Sequence, residues 1–416
     1  MFGVLLAACL LASPPSYALG ETDMTPGEPL MLGGFTDRKG AKGVLGSERL
    51  KLRTVYLVQG PTKVVFASME CLTIPESFYA AVKEKLPPDV HLFLAATHTH
   101  SAPDSQMLNS RMNFSIPGIA TYSKRWLDWY SQNVADGILK TISSQSFSIG
   151  KLTLSQGVAD ANHLRRKLNG PPDKRVSVFV ADRRPLIGIY AAHATIFDEK
   201  SNVMSGDWPG RWMAKGPWAA FPGAIGDVSP ELRGSGYEAQ AGDLVDRLEK
   251  ARKIAPAVLE NSAVNPLVWL ETPIILDKPV PHPDFAKSSK IPDALAETLV
   301  NKFAPTAATL QLASIGDFVL VGVPGEPTAD LGRRIQAAGY KLGLKQIVVT
   351  SHTNGWMGYI LEPKDYQRGG YEATLAFHGA NAADRVVEAA EKLFQNLSTL
   401  RSGRGQSLVL RSNITD

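Results

Sequence analysis

The chain has 416 residues, of which 44% are hydrophobic and 20% charged, with 36 glycines and 28 prolines. That balance is globular and long enough for one large core or two sub-lobes. A net charge of +4 with no dense Lys/Arg tract excludes nucleic acid as the expected partner, and no motif points to a protein partner.

Residues 2–12 are apolar, small residues follow, and polar sequence begins at Glu21. The run is too short to span a bilayer, so residues 1–18 are expected to be an export signal that sends the protein to the periplasm or outside the cell. Two processing routes compete. Ser16-Tyr17-Ala18 fits small-x-small cleavage, whereas Leu6-Ala7-Ala8-Cys9 resembles a lipobox that would anchor the chain through a lipid on Cys9. With Cys9 removed or lipidated, Cys71 has no disulfide partner and is expected to be a buried small apolar residue.

In chain order, Arg53–Gln59 and Thr62–Met69 read as a hairpin turned at Gly60-Pro61, its second strand ending at Glu70. A helix follows, with Thr73 as N-cap, Pro75 in the first turn and Glu76 closing a capping box; it stops before Pro87-Pro88. The apolar run Leu92–Ala96 then ends in Thr97-His98-Thr99-His100-Ser101. Residues two apart in an extended chain share a face, so His98 and His100 are expected to point the same way. A second hairpin pairs Arg175–Ala181 with Leu186–Ala192 across Asp182–Pro185 and ends at His193. A third pairs Leu310–Ile315 with Phe318–Val323 and runs through Pro324-Gly325 to Glu326, before a helix from Thr328 to Ala338. Glu70, His98, His193 and Glu326 thus all sit at strand ends, and open α/β sheets place their chemistry along such an edge. The segments Tyr122–Thr141, Ala241–Ile254 and Pro292–Phe303 read as core-facing helices, as does a last one striped by Val386, Ala390, Leu393, Phe394 and Leu397. Strands and helices mix without strict βαβ alternation, which predicts an α/β fold of mixed sheets built from repeated hairpins and flanked by helices. No linker divides residues 19–400, and residues 401–416 read as a tail.

Two further stretches carry chemistry. Gly226-Asp227-Val228-Ser229-Pro230 lies in a Gly/Pro-rich region and is not the G-x-S-x-G elbow of an α/β-hydrolase, so Ser229 is either a turn residue or a reactive hydroxyl. Gly358-Tyr359, Tyr366 and Tyr371-Glu372 place tyrosines in a polar, glycine-rich segment; a phenol there can bind a metal or donate to an oxyanion, or simply pack over a loop.

Taken together, Thr97-His98-Thr99-His100-Ser101, Gly226-Asp227-Val228-Ser229-Pro230, Pro324-Gly325-Glu326 with Gly332-Arg333-Arg334, and Gly358-Tyr359 followed by Tyr371-Glu372 occur in the order found in neutral ceramidases. The chain resembles the N-terminal catalytic domain of that family over nearly all its length after the signal. The resemblance implies hydrolysis of the N-acyl amide of ceramide-like lipids to a sphingoid base and a fatty acid, with one zinc ion per chain and an essential serine. It implies His98, His193, Glu326 and Tyr359 as zinc ligands, Ser229 and His100 as catalytic residues, and Arg165 and Tyr371 against the substrate. Arg166 is the alternative to Arg165. A lipid or N-acyl substrate further suggests contact with a membrane surface. The sequence departs from the family where Ala102 and Asp104 replace glycines and where Glu231 replaces an asparagine, and the family's C-terminal immunoglobulin-like domain is expected to be absent. These departures leave the metal set whole but keep open a non-sphingolipid amide or ester as substrate. A non-catalytic cell-surface binding module is the reading from another class.

Overall fold

A computed structural model describes residues 14–44, 48–165, 171–254, 257–260 and 266–402. Cys9, most of the expected signal, Arg166 and the tail beyond Ser402 lie outside the described residues.

The first sheet contains β1 (Ser16–Asp23), β2 (Lys51–Gln59), β3 (Thr62–Met69), β4 (Val90–Ala96) and β5 (Phe147–Ser148), in the order β4-β3-β2-β1-β5. β2 and β3 are the expected hairpin: Gln59 pairs with Thr62, and Gly60 takes the positive φ of 56° that a two-residue turn asks for. β4 returns parallel to β3. Ser16, Tyr17 and Ala18 already pair with Val58, Leu57 and Tyr56, so a cut after Ala18 would remove three rungs of the β1–β2 ladder.

The chain continues through β6 (Leu152–Val158), β7 (Asn162–Leu164), β8 (Arg175–Ala181), β9 (Arg184–Tyr190), β10 (Ala219–Pro222), β11 (Val228–Pro230) and β12 (Ala257–Glu260). The second sheet has the order β10-β9-β8-β6-β12, and β7 with β11 forms a separate antiparallel pair. The β8–β9 turn is tighter than the sequence suggests. Asp182 and Arg183 both adopt positive φ (46° and 75°), so two residues suffice and β9 starts at Arg184, with Pro185 opposite Val180 at a bulge.

The third sheet takes β13 (Val268–Ile274), β14 (Ala308–Ile315), β15 (Phe318–Gly322) and, past the two-residue β16 (Glu326–Pro327), β17 (Gln346–Thr350), in the order β13-β14-β15-β17. β16 pairs in parallel with β18 (Tyr359–Ile360), which sets Glu326 directly opposite Tyr359.

Each sheet has helices on one face. Glu76–Lys83 and Lys124–Ile142 bury Phe78, Val82, Val134 and Ile138 on the first sheet; Asp207–Lys215 and Tyr237–Ile254 bury Trp208, Trp212, Leu244 and Leu248 on the second. Ala329–Lys341 and Ala382–Arg401 do the same for the third, and the last helix buries all five residues of its apolar stripe. The opposite faces meet in one core, where Val55, Phe66 and Phe93 pack with Leu154, Phe179 and Ile187 and with Ile315, Leu320 and Val348. Burying both faces of every sheet in this way gives the near-continuous apolar strands seen in the sequence.

One helix start differs from expectation. Glu76–Lys83 has Pro75 at its N-cap and no side-chain cap, because the Thr73 hydroxyl instead meets Ser105 Oγ (2.6 Å). By contrast, Thr328 caps Ala329–Lys341 by accepting from Leu331 N–H. Cys71 is buried, as expected, and burial pushes its thiol up out of the reactive range. Among the described residues, no helix is long and apolar enough to cross a membrane.

Candidate metal centre

The site forms where strands of all three sheets end. Asn354 is the principal tie: its side-chain Oδ1 accepts from Leu94 N–H and its Nδ2 donates to the Leu92 carbonyl, both at 2.7 Å, so it completes the edge of β4 from a segment 260 residues away. Ser351 N–H reaches the Pro222 carbonyl at the end of β10, and His352 N–H reaches the Gly325 carbonyl beyond β15. These bonds bring the ends of β4, β10, β15 and β17 to one place.

His98 follows β4 by two residues but is not extended. Its φ of 62° is left-handed, a conformation a non-glycine residue holds only where surrounding contacts enforce it. His98 and His100 do converge, with Nε2 atoms 3.2 Å apart and rings perpendicular, yet through this turn and not through strand alternation. His98 Nδ1–H donates to the Leu72 carbonyl (2.8 Å), and His193 Nδ1–H donates to the Val228 carbonyl (2.9 Å). A carbonyl can only accept, so both rings carry their proton on Nδ1; the Nε2 lone pair of His193 is free, and that of His98 accepts from His100 Nε2–H. Glu326 Oε2 lies 3.7 Å from His98 Nε2 and 3.5 Å from His193 Nε2.

His193 Nε2 and Glu326 Oε2 are fully buried and have no hydrogen-bond partner. Native interiors rarely leave such atoms unpaired. Ligands about 2.0–2.1 Å from a tetrahedral zinc stand roughly 3.4 Å from one another, close to both separations here. The ligating atoms of His98, His100 and His193 lie within 4.8 Å of one another, as do those of His98, Glu326 and His352. The residues therefore fit a divalent cation with nitrogen and oxygen ligands.

The surroundings hold the set in its binding form. Burial lowers the imidazole pKa values of His98 and, more strongly, of His100 and His193, which disfavours their protonated forms. Burial alone would raise the Glu326 carboxyl, but His98, His352 and hydrogen bonds from Trp356 and Tyr359 outweigh it and hold the group below the usual carboxylate range. Trp356 Nε1–H donates to Glu326 Oε1 at 3.0 Å. Burial and the nearby Glu326 charge push the Tyr359 phenol well above its ordinary value, so it stands here as a protonated donor to that carboxylate.

Arg165 reaches this cluster from the end of β7. Its backbone N–H donates to the Asp227 carbonyl (2.9 Å), and its guanidinium donates to the Gly226 carbonyl and faces Glu372 at 3.5 Å and the Tyr359 ring at 5.8 Å. Tyr371 packs edge-on against Tyr359 (6.0 Å between centroids) and is 54% exposed, which puts it on the solvent side of the cluster. Gly34, at φ 88°, backs His100 so closely that a Cβ there would lie 2.3 Å from Nδ1, and Phe35 packs on the same ring.

Ser229 is half-buried in the middle of β11, opposite His163. Among the described residues no hydrogen bond joins its hydroxyl to the histidines, although its neighbour Val228 supplies the carbonyl that orients His193. Glu70 does not join the cluster. Its Oε2 accepts from Lys51 N–H, and its carboxyl packs against Gly206 and Gly210. Asp104, which replaces a glycine of the family pattern, accepts from Gln106 N–H and Ala120 N–H and so pins the loop after the histidines.

His352 and Trp356 belong to the site without having been singled out in the sequence, and Glu372 was read there only as part of the Tyr371-Glu372 motif. His352 was legible by the rule that found the others, since it lies two residues beyond the end of β17.

The model for the neutral/alkaline non-lysosomal ceramidase N-terminal region matches residues 285–388, which include Glu326, His352 and Tyr359. The neutral ceramidase of Pseudomonas aeruginosa is 22% identical over an alignment covering 91% of this chain and 73% of that protein. Shorter matches are 27% identical to the neutral ceramidase of Mycobacterium tuberculosis and 30% identical to neutral ceramidase 3 of Arabidopsis thaliana, spanning only 18% and 14% of those relatives' lengths. The crystal structure of the Pseudomonas aeruginosa enzyme superposes with a TM-score of 0.74 at 18% identity, covering 94% of this chain and 75% of that one. A structure titled as ceramidase complexed with C2 matches equally well, at 17% identity. These structural matches establish the mixed-sheet fold.

Proposed function

We propose that this chain, which is similar to the neutral/alkaline ceramidases, is a zinc-dependent amidohydrolase. It would cleave the N-acyl bond of ceramide-like lipids, with His98, His193, Glu326 and Tyr359 around one zinc ion. The observation that supports this reading is the pair of buried, unpartnered atoms His193 Nε2 and Glu326 Oε2, 3.5 Å apart and beside His98 Nε2. Neutral imidazoles and a carboxylate are a common zinc set, and among the described residues no thiol joins the cluster to favour a softer metal.

A bound zinc ion supplies a Lewis acid for the amide carbonyl. The protein's own groups do the rest. The Leu72 and Val228 carbonyls fix the tautomers of His98 and His193, as the hydrogen-bond partners of metal-binding histidines usually do. Arg165, beside Tyr359 and Glu372, brings a permanent positive charge to the place where negative charge develops on the carbonyl oxygen. His100, held neutral by burial, is available to accept a proton, and Ser229 is the hydroxyl that attacks or positions the scissile group. Tyr371, exposed beside Tyr359, meets the substrate as it enters. The apolar leader implies that the protein works after export.

The test is metal analysis together with turnover of a fluorescent N-acyl-sphingosine. Bound zinc with lipid turnover supports the proposal. Zinc with turnover only of short amides or esters moves the substrate class and keeps the centre. No zinc and no turnover leaves the non-catalytic module. In the lipid assay Ser229→Ala is expected to keep its zinc while losing most of its kcat; unchanged turnover would make the serine a structural residue of β11.

A further inference from the structure

We propose that His352 is a further protein ligand of the metal ion, a third imidazole supplied from the end of β17. The inference rests on the metal centre proposed above and adds a residue to it. The His352 ring is completely buried, and neither of its nitrogens has a hydrogen-bond partner. An apolar side chain would fill the same space without burying two unpaired polar atoms, so the nitrogens have a use that the ion-free protein does not satisfy.

Their position indicates that use. His352 Nε2 lies 4.0 Å from Glu326 Oε1, and a ligating nitrogen of His352 falls within 4.8 Å of those of His98 and Glu326. The backbone holds His352 there at a left-handed φ of 52°, with its N–H on the Gly325 carbonyl and its carbonyl on Ala96 N–H, so the residue is fixed to both strand ends that carry the other ligands. The ring now stacks on His98, centroids 4.0 Å apart and planes 19° from parallel. An imidazole binds a metal in its own plane, so two stacked rings cannot both address one ion. Coordination therefore requires His352 to turn out of the stack about its Cβ–Cγ bond, and no hydrogen bond to the ring has to break for it to do so. The arrangement assigns His98, His193, Glu326 and Tyr359 as the ligands already in place and His352 as a further one that swings in.

A crystal of the wild-type protein soaked in zinc, with the ion located by anomalous scattering, decides the matter. A His352 nitrogen at about 2.1 Å from zinc is the expected result. Zinc on His98, His193 and Glu326 with His352 more than about 3 Å away overturns this inference and leaves the proposed function standing. Zinc absent from all four residues defeats the proposed centre itself. In solution, His352→Asn, chosen because asparagine tolerates a left-handed φ, should weaken zinc binding by more than the roughly 10–100-fold that loss of an outer-shell partner costs. A smaller loss contradicts a ligand role. If the variant fails to fold, the wild-type crystal result stands on its own.

Discussion

Glu70 and Glu326 invite a direct comparison. Each follows the second strand of a hairpin, each is almost completely buried, and each sits at a sheet edge. Their surroundings separate them. Glu326 has His98 and His352 beside it and hydrogen bonds from Trp356 and Tyr359, so its charged form is favoured. Glu70 has the Lys51 N–H and little else polar, and burial raises its carboxyl to about 8, so near neutral pH it is largely protonated. Position at a strand end therefore selects buried carboxylates, and the groups facing them decide which can bind a cation.

Four substitutions probe that contrast. The largest effect is expected from removing the charge itself. Glu326→Gln should weaken zinc binding by about a thousandfold or more, since it removes a charged ligand and not merely an outer-shell partner, whereas Glu70→Gln should bind zinc like wild type. Zinc titration of both proteins checks this, and equal losses would erase the distinction.

The two carboxylates should also drive stability with pH in opposite directions. Glu70 has a folded pKa raised from 4.5 to about 8, so its contribution is fully present below 4.5 and is lost as pH rises through 8. Glu326 has a lowered folded pKa, so its contribution is present above 4.5 and is lost as pH falls through its folded value. Between about pH 5 and 9, Glu70→Gln should lose less stability than wild type, by on the order of 2–4 kcal/mol. Thermal or urea unfolding across that range measures it, and parallel curves would count against a protonated Glu70.

The smallest contrast concerns the glycines beside each group. A Cβ on Gly226 would meet the Glu326 backbone carbonyl at 2.5 Å, which cannot move without moving the Glu326 carboxylate, whereas one on Gly206 would meet the Glu70 side-chain tip at 2.6 Å. Gly226→Ala should therefore cost about 1–3 kcal/mol of stability and Gly206→Ala less. Unfolding measurements on both variants test the order.

The hairpins were legible because strand residues, turn glycines and adjacent loop polarity agree locally, as at Gly60-Pro61 and Gly316-Asp317. The strand-end positions of His98, His193 and Glu326 were legible in the same pattern, and the family resemblance offered them as metal ligands. Their convergence was not. It depends on bonds such as Asn354 to Leu92 and Leu94, which join segments with no local sequence relation. The same long-range logic explains the misread N-cap: Thr73 is a sound capping residue by local chemistry, but Ser105 takes its hydroxyl. It also explains His98, whose left-handed turn arises where the chain is held between the Met69 and Leu72 carbonyls.

The central claim is that His98, His193 and Glu326 hold one divalent ion. Inductively coupled plasma mass spectrometry of the purified, dialysed protein beside Glu326→Gln tests it most directly. The account predicts about one zinc per wild-type chain, as a single site requires, and none in the variant. A wild-type protein that stays metal-free in the presence of zinc, or a variant that retains the full amount, would contradict it.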